Sequence, residues 1–255
     1  MLRYLLITLL LVSPSFAPAG EEVVLGLSKD KVAITTSFDG SEILIFGAVK
    51  REQAIPESQL HVVITVAGPS HPVVVRRKSK WLGLIWVNRA AVEVDSAPSF
   101  YAVATSGPMH DVLSETEDLR HKITIDHAIR SVGAPSDIEN SESFTEAVIR
   151  IRENADLYQL LEGQVALDQQ TLFRTSIKMP SDLTEGDYLT RIFLTRDGKI
   201  VSTYETSIDV RKVGLERWLF TLSRQNPVLY GLMSLAIAIA AGWGASAAFR
   251  LARNG

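Results

Sequence analysis

Five histidines and the carboxylates beside them are the side chains with which this chain of 255 residues could hold a metal ion or move a proton. His110 adjoins Asp111, His127 adjoins Asp126, and His61 and His71 fall in or next to strand-like segments. His121 and His127 are six residues apart, so one straight helix does not put them on a common face as the four-residue spacing of helical zinc motifs does. A fold that gathered His110, His121 and His127 could bind zinc or copper. The simpler expectation is surface imidazoles beside carboxylates, with no metal and no cofactor assigned. Nucleophilic chemistry has no motif either. The chain lacks Gly-x-Ser-x-Gly, Ser-x-x-Lys supported by Lys-Thr-Gly, His-Glu-x-x-His, Gly-x-Gly-x-x-Gly and a phosphate loop. Glu115, Glu117 and Asp118 fit the acidic first turn of a helix, where the helix dipole favours negative charge. No catalytic residue is assigned.

The most unusual chemistry is basic and aromatic. Arg76, Arg77, Lys78 and Lys80 run directly into Trp81-Leu82-Gly83-Leu84-Ile85-Trp86. Cations beside two tryptophans suit anionic lipid headgroups or an acidic partner protein. The bland alternative is a charged strand edge that resists edge-to-edge pairing. We take Arg76, Arg77, Lys78, Lys80, Trp81 and Trp86 as the expected interaction residues.

Composition narrows the remaining classes. Of 26 basic residues, Arg3, Arg250 and Arg253 lie outside residues 20–227, leaving 23 basic against 29 acidic in that stretch, a net charge of −6. A nucleic-acid partner is therefore not expected, since it calls for a basic surface. Cysteine is absent, which excludes disulfides, thiolate metal sites and cysteine lipidation.

The two ends set the address. Met1-Leu2-Arg3 precedes an uncharged apolar stretch, Leu5 to Val12, and the small residues Ala17 and Ala19 suit a signal peptidase. Residues 1–19 are expected to be an export signal cut after Ala19. Residues 228–249 carry no charged side chain. At 1.5 Å per residue such a helix is about 33 Å long, enough for a hydrocarbon core of about 30 Å. Residues 250–255, with two arginines, would form a cytoplasmic tail, which places the body in the periplasm and the anchor in the inner membrane. Before the span, Leu215, Trp218, Leu219 and Leu222 recur at helical spacing, so residues 212–227 predict an interfacial helix ended or bent by Pro227. Ala238, Gly242 and Ser246, four residues apart, give the membrane helix a small-residue face that lets another helix approach.

Between the ends, apolar runs broken by turn residues predict seven or eight strands over 20–107, arranged as an immunoglobulin-like β-sandwich. Ser41 to Val49 is apolar at successive positions and predicts a strand covered on both faces. Residues 108–162 change to a helical period, with a long helix from Ser143 marked by Phe144, Val148, Ile151, Ala155, Tyr158 and Leu161, and a loop over 134–141. Ser143 and Glu146 have capping-box spacing. Strands return over 163–211 as a membrane-proximal sheet. They either recruit a strand from the first half or form a second small sheet under the long helix. Asp197-Gly198 predicts a hairpin turn, and Tyr188 a tyrosine that braces the turn before its strand. The fold class is mainly β with a helical insert and one C-terminal transmembrane helix.

Three stretches carry a resemblance: Ser37 to Ala48, Trp81 to Asn88, and the end from Glu216-Arg217-Trp218 through Gln225-Asn226-Pro227 to Trp243 and Arg250. On these the chain resembles, over nearly all of Glu21 to Arg250, a family of transmembrane proteins of alphaproteobacteria of unknown function. The family implies one C-terminal membrane helix and brings no catalytic residue. A loose association with neighbouring permeases of the sulfite-exporter kind would suit an accessory subunit.

Three functions follow in order. The first is a single-pass scaffold or accessory subunit of an envelope or transporter complex, partnered by another membrane or periplasmic protein. The second is a tethered periplasmic ligand or metal binder, which predicts a concave pocket. The third is a tethered enzyme of uncommon type, which predicts converging acid, base and nucleophile.

Overall fold

The structure is a computed structural model that describes residues 21–35, 38–52, 54–81, 84–130, 142–213 and 215–254. The expected export signal and the loop over 134–141 lie outside the described residues. The chain divides into two compact units, one of Met1–Val32 with Asp39–Asp209 and one of Ala33–Phe38 with Val210–Gly255.

The fold is mixed α/β. A four-stranded antiparallel sheet has the order β1 (Glu22–Leu27), β3 (Ser41–Lys50), β10 (Leu172–Met179), β9 (Ala166–Asp168). A six-stranded sheet has the order β2 (Lys31–Ile34), β12 (Lys199–Lys212), β11 (Gly186–Arg196), β4 (Leu60–Ala67), β7 (Tyr101–Thr105), β8 (Tyr158–Leu161). A two-stranded ribbon pairs β5 (Ser70–Trp81) with β6 (Ile85–Pro98).

The C-terminal strands do not make the second small sheet by themselves. β10 pairs with β3 and β11 with β4, so each is recruited into a sheet begun by the first half. The physical reason is that β3 and β4 are long apolar strands with two edges to satisfy, and an unpaired row of backbone groups is costly where water is excluded. The hairpin between β11 and β12 turns at Asp197 (φ 50°) and Gly198 (φ 74°), the two positive values expected of an Asp-Gly turn. Tyr188 is fully buried, and its hydroxyl donates to the Thr184 carbonyl at 2.8 Å, the predicted brace of the preceding turn.

The helical section is shorter than its period suggests. Among the described residues it holds the helices α1 (Met109–Val112), α2 (Glu115–His121), α3 (Ile125–Ala128) and α4 (Glu142–Glu153). The helix expected to reach Leu161 stops at Glu153. The chain then turns through Asp156 at φ 56°, and Tyr158 to Leu161 runs parallel to β7 with Tyr158 opposite Tyr101. Apolar residues at 158 and 161 satisfy a helical stripe and a short strand equally well. Tyr158 decides it, because its buried hydroxyl donates to the Pro98 carbonyl at 2.8 Å beside β7. Ser143 sits inside the first turn of α4, and its hydroxyl accepts from Arg77 at 2.6 Å.

The helices cover one face of the six-stranded sheet. Val63, Tyr101, Val103 and Phe193 pack there with Val112, Leu113, Ile123, Ile125, Ile129 and Val148. Val62, Ile64 and Val66 alternate with Val63 along β4 and are equally buried, so this central strand is covered on both faces.

The second unit contains α5 (Leu215–Gln225) and α6 (Pro227–Asn254). Pro227 opens α6 at its first position, where a missing backbone N–H costs nothing. Twenty residues, Pro227–Ser246, are apolar and long enough to cross a bilayer, and none is buried inside the protein. Gly231, Gly242 and Gly244 have nothing within 4 Å of the side a Cβ would occupy.

Candidate functional site

Two surfaces of the body, rather than a cleft, hold the unexplained side chains. The first is the β5–β6 ribbon. Its pairing runs from Ser70 opposite Pro98 to Trp81 opposite Ile85, with a bulge between Arg77 and Lys78. Near the base, Val92 and Val94 are buried and Val73 and Val75 pack against the core. Arg77 faces α4, with its guanidinium 4.4 Å from the centre of the Phe144 ring. Arg77 is thereby a structural clamp, unlike the other cations of its run. Arg76, Lys78 and Lys80 alternate onto the exposed face, and Lys80 Nζ lies 5.3 Å from the centre of the Trp86 ring. Leu84, Ile85 and Trp86 are 85, 57 and 62 % exposed. The side chain of Trp81 lies outside the described residues.

The second surface is the outer face of the four-stranded sheet. Only one face of β3 is covered, contrary to its sequence: Ile43, Ile45 and Val49 are buried, whereas Leu44 and Phe46 are 42 and 44 % exposed. The register places Val24 opposite Ala48, and Ala48 opposite Leu172, with Val24 and Leu172 at 53 and 57 % exposure. Phe46 lies across Gly26, where a Cβ would come within 2.5 Å of its ring. Charge closes the band at both ends, and exposed Arg174 enters it opposite Phe46. Lys50 and Glu22 pair at 3.6 Å on one side, and Glu42 lies opposite Lys178 on the other. Apolar residues recur at successive positions of β3 because folding uses one half of them and leaves the other half facing out.

The three histidines do not gather. His110 Nε2 lies 3.4 Å from Asp111, His121 Nε2 lies 3.7 Å from Glu117, and His127 Nδ1 lies 2.7 Å from Asp118. Each imidazole has its own carboxylate, and among the described residues no three His, Asp or Glu are placed to share a metal ion. An open concavity among the described residues is lined by Asp39, Asp156, Gln159, Leu161, Lys178, Pro180 and Ser181. The amide of Gln159 is already committed there, donating to the carbonyls of Asp156 and Lys178 at 2.8 Å each.

Two polar hubs escaped the sequence. Asp118 is buried and accepts from the Ile123 and Thr124 amides, the Thr124 hydroxyl and His127. Burial opposes its charge, but these hydrogen bonds win and hold its carboxyl below the ordinary range. Both carboxylate oxygens are engaged in closing the α2–α3 turn, and the one hydroxyl beside the imidazole, that of Thr124 at 3.0 Å from His127 Nδ1, is itself held by Asp118, so Asp118, Thr124 and His127 act as a brace. The other hub joins Glu21, Arg51 and Arg196. Arg51 Nε donates to Glu21 Oε1 at 2.5 Å, and Arg196 donates to both carboxylate oxygens at 2.7 and 3.0 Å. The Arg196 hydrogen bond, opposed by burial and helped by Arg51, lowers the pKa of Glu21. Arg196 also donates to the Ser58 carbonyl, and Arg51 to that of Gln170. Adjacency in sequence is the signal that could have found the Asp118 turn. Nothing local marks the other, since its partners are 30 and 175 residues apart.

Residues 22–251 match the family model described as "Putative transmembrane protein (Alph_Pro_TM)". No curated protein matches the chain.

Proposed function

Since the chain belongs to the alphaproteobacterial transmembrane family Alph_Pro_TM, we propose that it is a single-pass inner-membrane scaffold or accessory subunit, docking another membrane or periplasmic protein. It is a membrane protein with a β-rich body and, among the described residues, one helix that can span a bilayer. The finer reading places the body in the periplasm as an immunoglobulin-like sandwich, with residues 250–255 in the cytoplasm. Support for the orientation comes from the charge pattern at residues 1–19 and from Arg250 and Arg253 after the span.

The observation that carries the docking role is the outward band of Val24, Leu44, Phe46 and Leu172. Soluble surfaces rarely leave contiguous apolar side chains across three strands without a partner. The charged pairs at either end give such a partner a polar rim to match. The open side of α6 at Ala238, Gly242 and Ser246 offers a second contact within the bilayer, where small residues let backbones approach. Trp218 of α5 is exposed and suits headgroup depth.

Extraction of the native membrane in mild detergent tests this reading. The chain should migrate as a complex of fixed composition that Leu44→Asp with Phe46→Asp disrupts, without loss of the folded body. Recovery of the wild-type chain strictly alone would contradict it.

A further inference from the structure

We propose that the end of the β5–β6 ribbon is a second membrane contact, which inserts Leu84, Ile85 and Trp86 into the interface of an anionic lipid surface. This contact is independent of the docking face on β3. At about 3.3 Å per residue, twelve residues of β5 make a ribbon of about 40 Å. The body accounts for the ribbon only up to Arg77, which is held on α4 by Phe144 and Ser143. From Lys78 outward, and back to Asn88, every side chain with a described burial is exposed except those of Ser79 and Val87, which are half-buried.

The outer part is graded along its length. Leu84 and Ile85 come first, Trp86 sits beside Lys80, and Lys78 and Arg76 follow on the same face at two-residue intervals. That order matches a bilayer interface: an apolar tip for the acyl boundary, tryptophan for headgroup depth, and long cationic side chains for the phosphates. Lysine stems can lie along apolar surface while the ammonium stays with the phosphates. A protein hot spot has a different plan, with an apolar centre ringed by a polar rim. The cations here trail behind the apolar tip along one axis. They also oppose the net charge of the stretch 20–227, which is negative, so a local cationic stripe is what an anionic surface would select.

The test uses the full chain with Trp81→Phe, Trp218→Phe and Trp243→Phe, which leaves Trp86 as the sole tryptophan. It is reconstituted in nanodiscs of phosphatidylcholine, or of phosphatidylcholine mixed with brominated phosphatidylglycerol. A further arm adds vesicles containing the brominated lipid to the phosphatidylcholine discs. Emission from Trp86 should move to the blue and be quenched in the anionic disc or by the anionic vesicle. Each cation near an anionic surface is worth about a five-fold factor, so Lys78→Gln with Lys80→Gln should weaken the quenching contact about 25-fold. Leu84→Ser with Ile85→Ser should abolish it while the thermal unfolding midpoint stays put. Solvent-like, unquenched emission in both anionic arms overturns the proposal. So does equal quenching when brominated phosphatidylcholine replaces the anionic lipid, or a blue shift without quenching.

Discussion

The centre of the six-stranded sheet and the β5–β6 ribbon are built from the same residue types and put them to opposite use. On β4 and β7 nearly every side chain is buried, down to the threonines Thr65 and Thr105. On the ribbon, Val74, Ile85 and Trp86 face water. Folding explains the first set, because both faces of these strands are enclosed, one of them by the helices. It does not explain the second, and the outer face of β3 repeats the pattern in a flat form. The proposed docking face and the proposed lipid contact both rest on these apolar residues that the fold leaves uncovered.

The largest effect separates the two regions outright. Phe193→Ala empties a fully buried site and should cost about 3–5 kcal/mol in denaturant titration of the detergent-solubilised chain. Trp86→Ala, although it removes a larger ring, should change stability by no more than about 0.5 kcal/mol. A large loss from Trp86→Ala would mean that the ribbon is part of the folding core after all. Next comes the ionic hub. Glu21→Gln leaves two arginines facing a neutral amide and should cost about 1–3 kcal/mol. Acid should act in the same direction. Glu21 and Asp118 are both held below their ordinary values of 4.5 and 3.8, so the unfolded chain binds more protons near those values. Their stabilisation is present above that range and is lost as pH falls through the lowered values. Unfolding midpoints measured on acidification should therefore drop, and Glu21→Gln should flatten part of the drop. The smallest effect is Tyr188→Phe, which removes one hydrogen bond to Thr184 and should cost about 1 kcal/mol.

What was legible in the sequence is what depends on neighbours along the chain. The Asp197-Gly198 hairpin needs only two residues that tolerate positive φ, and the Tyr188 brace only a carbonyl four positions back. The basic-aromatic run was visible as composition, but not that Arg77 lies against α4 while Arg76, Lys78 and Lys80 alternate onto the other face. That sorting depends on strand phase. The parallel pairing of β8 with β7 was invisible, because Tyr158 and Leu161 fit a helical stripe until the partner strand is known. β3 is the reverse case. Its apolar run predicts a strand covered on both faces, and the fold covers only one, leaving Leu44 and Phe46 exposed.

A photo-crosslinking residue in place of Phe46, activated in native membranes, tests most directly whether that uncovered face is a docking surface. It should give one discrete protein adduct, while the same probe at exposed Lys199 gives none. A folded, membrane-inserted chain with no protein adduct from position 46 would contradict the account.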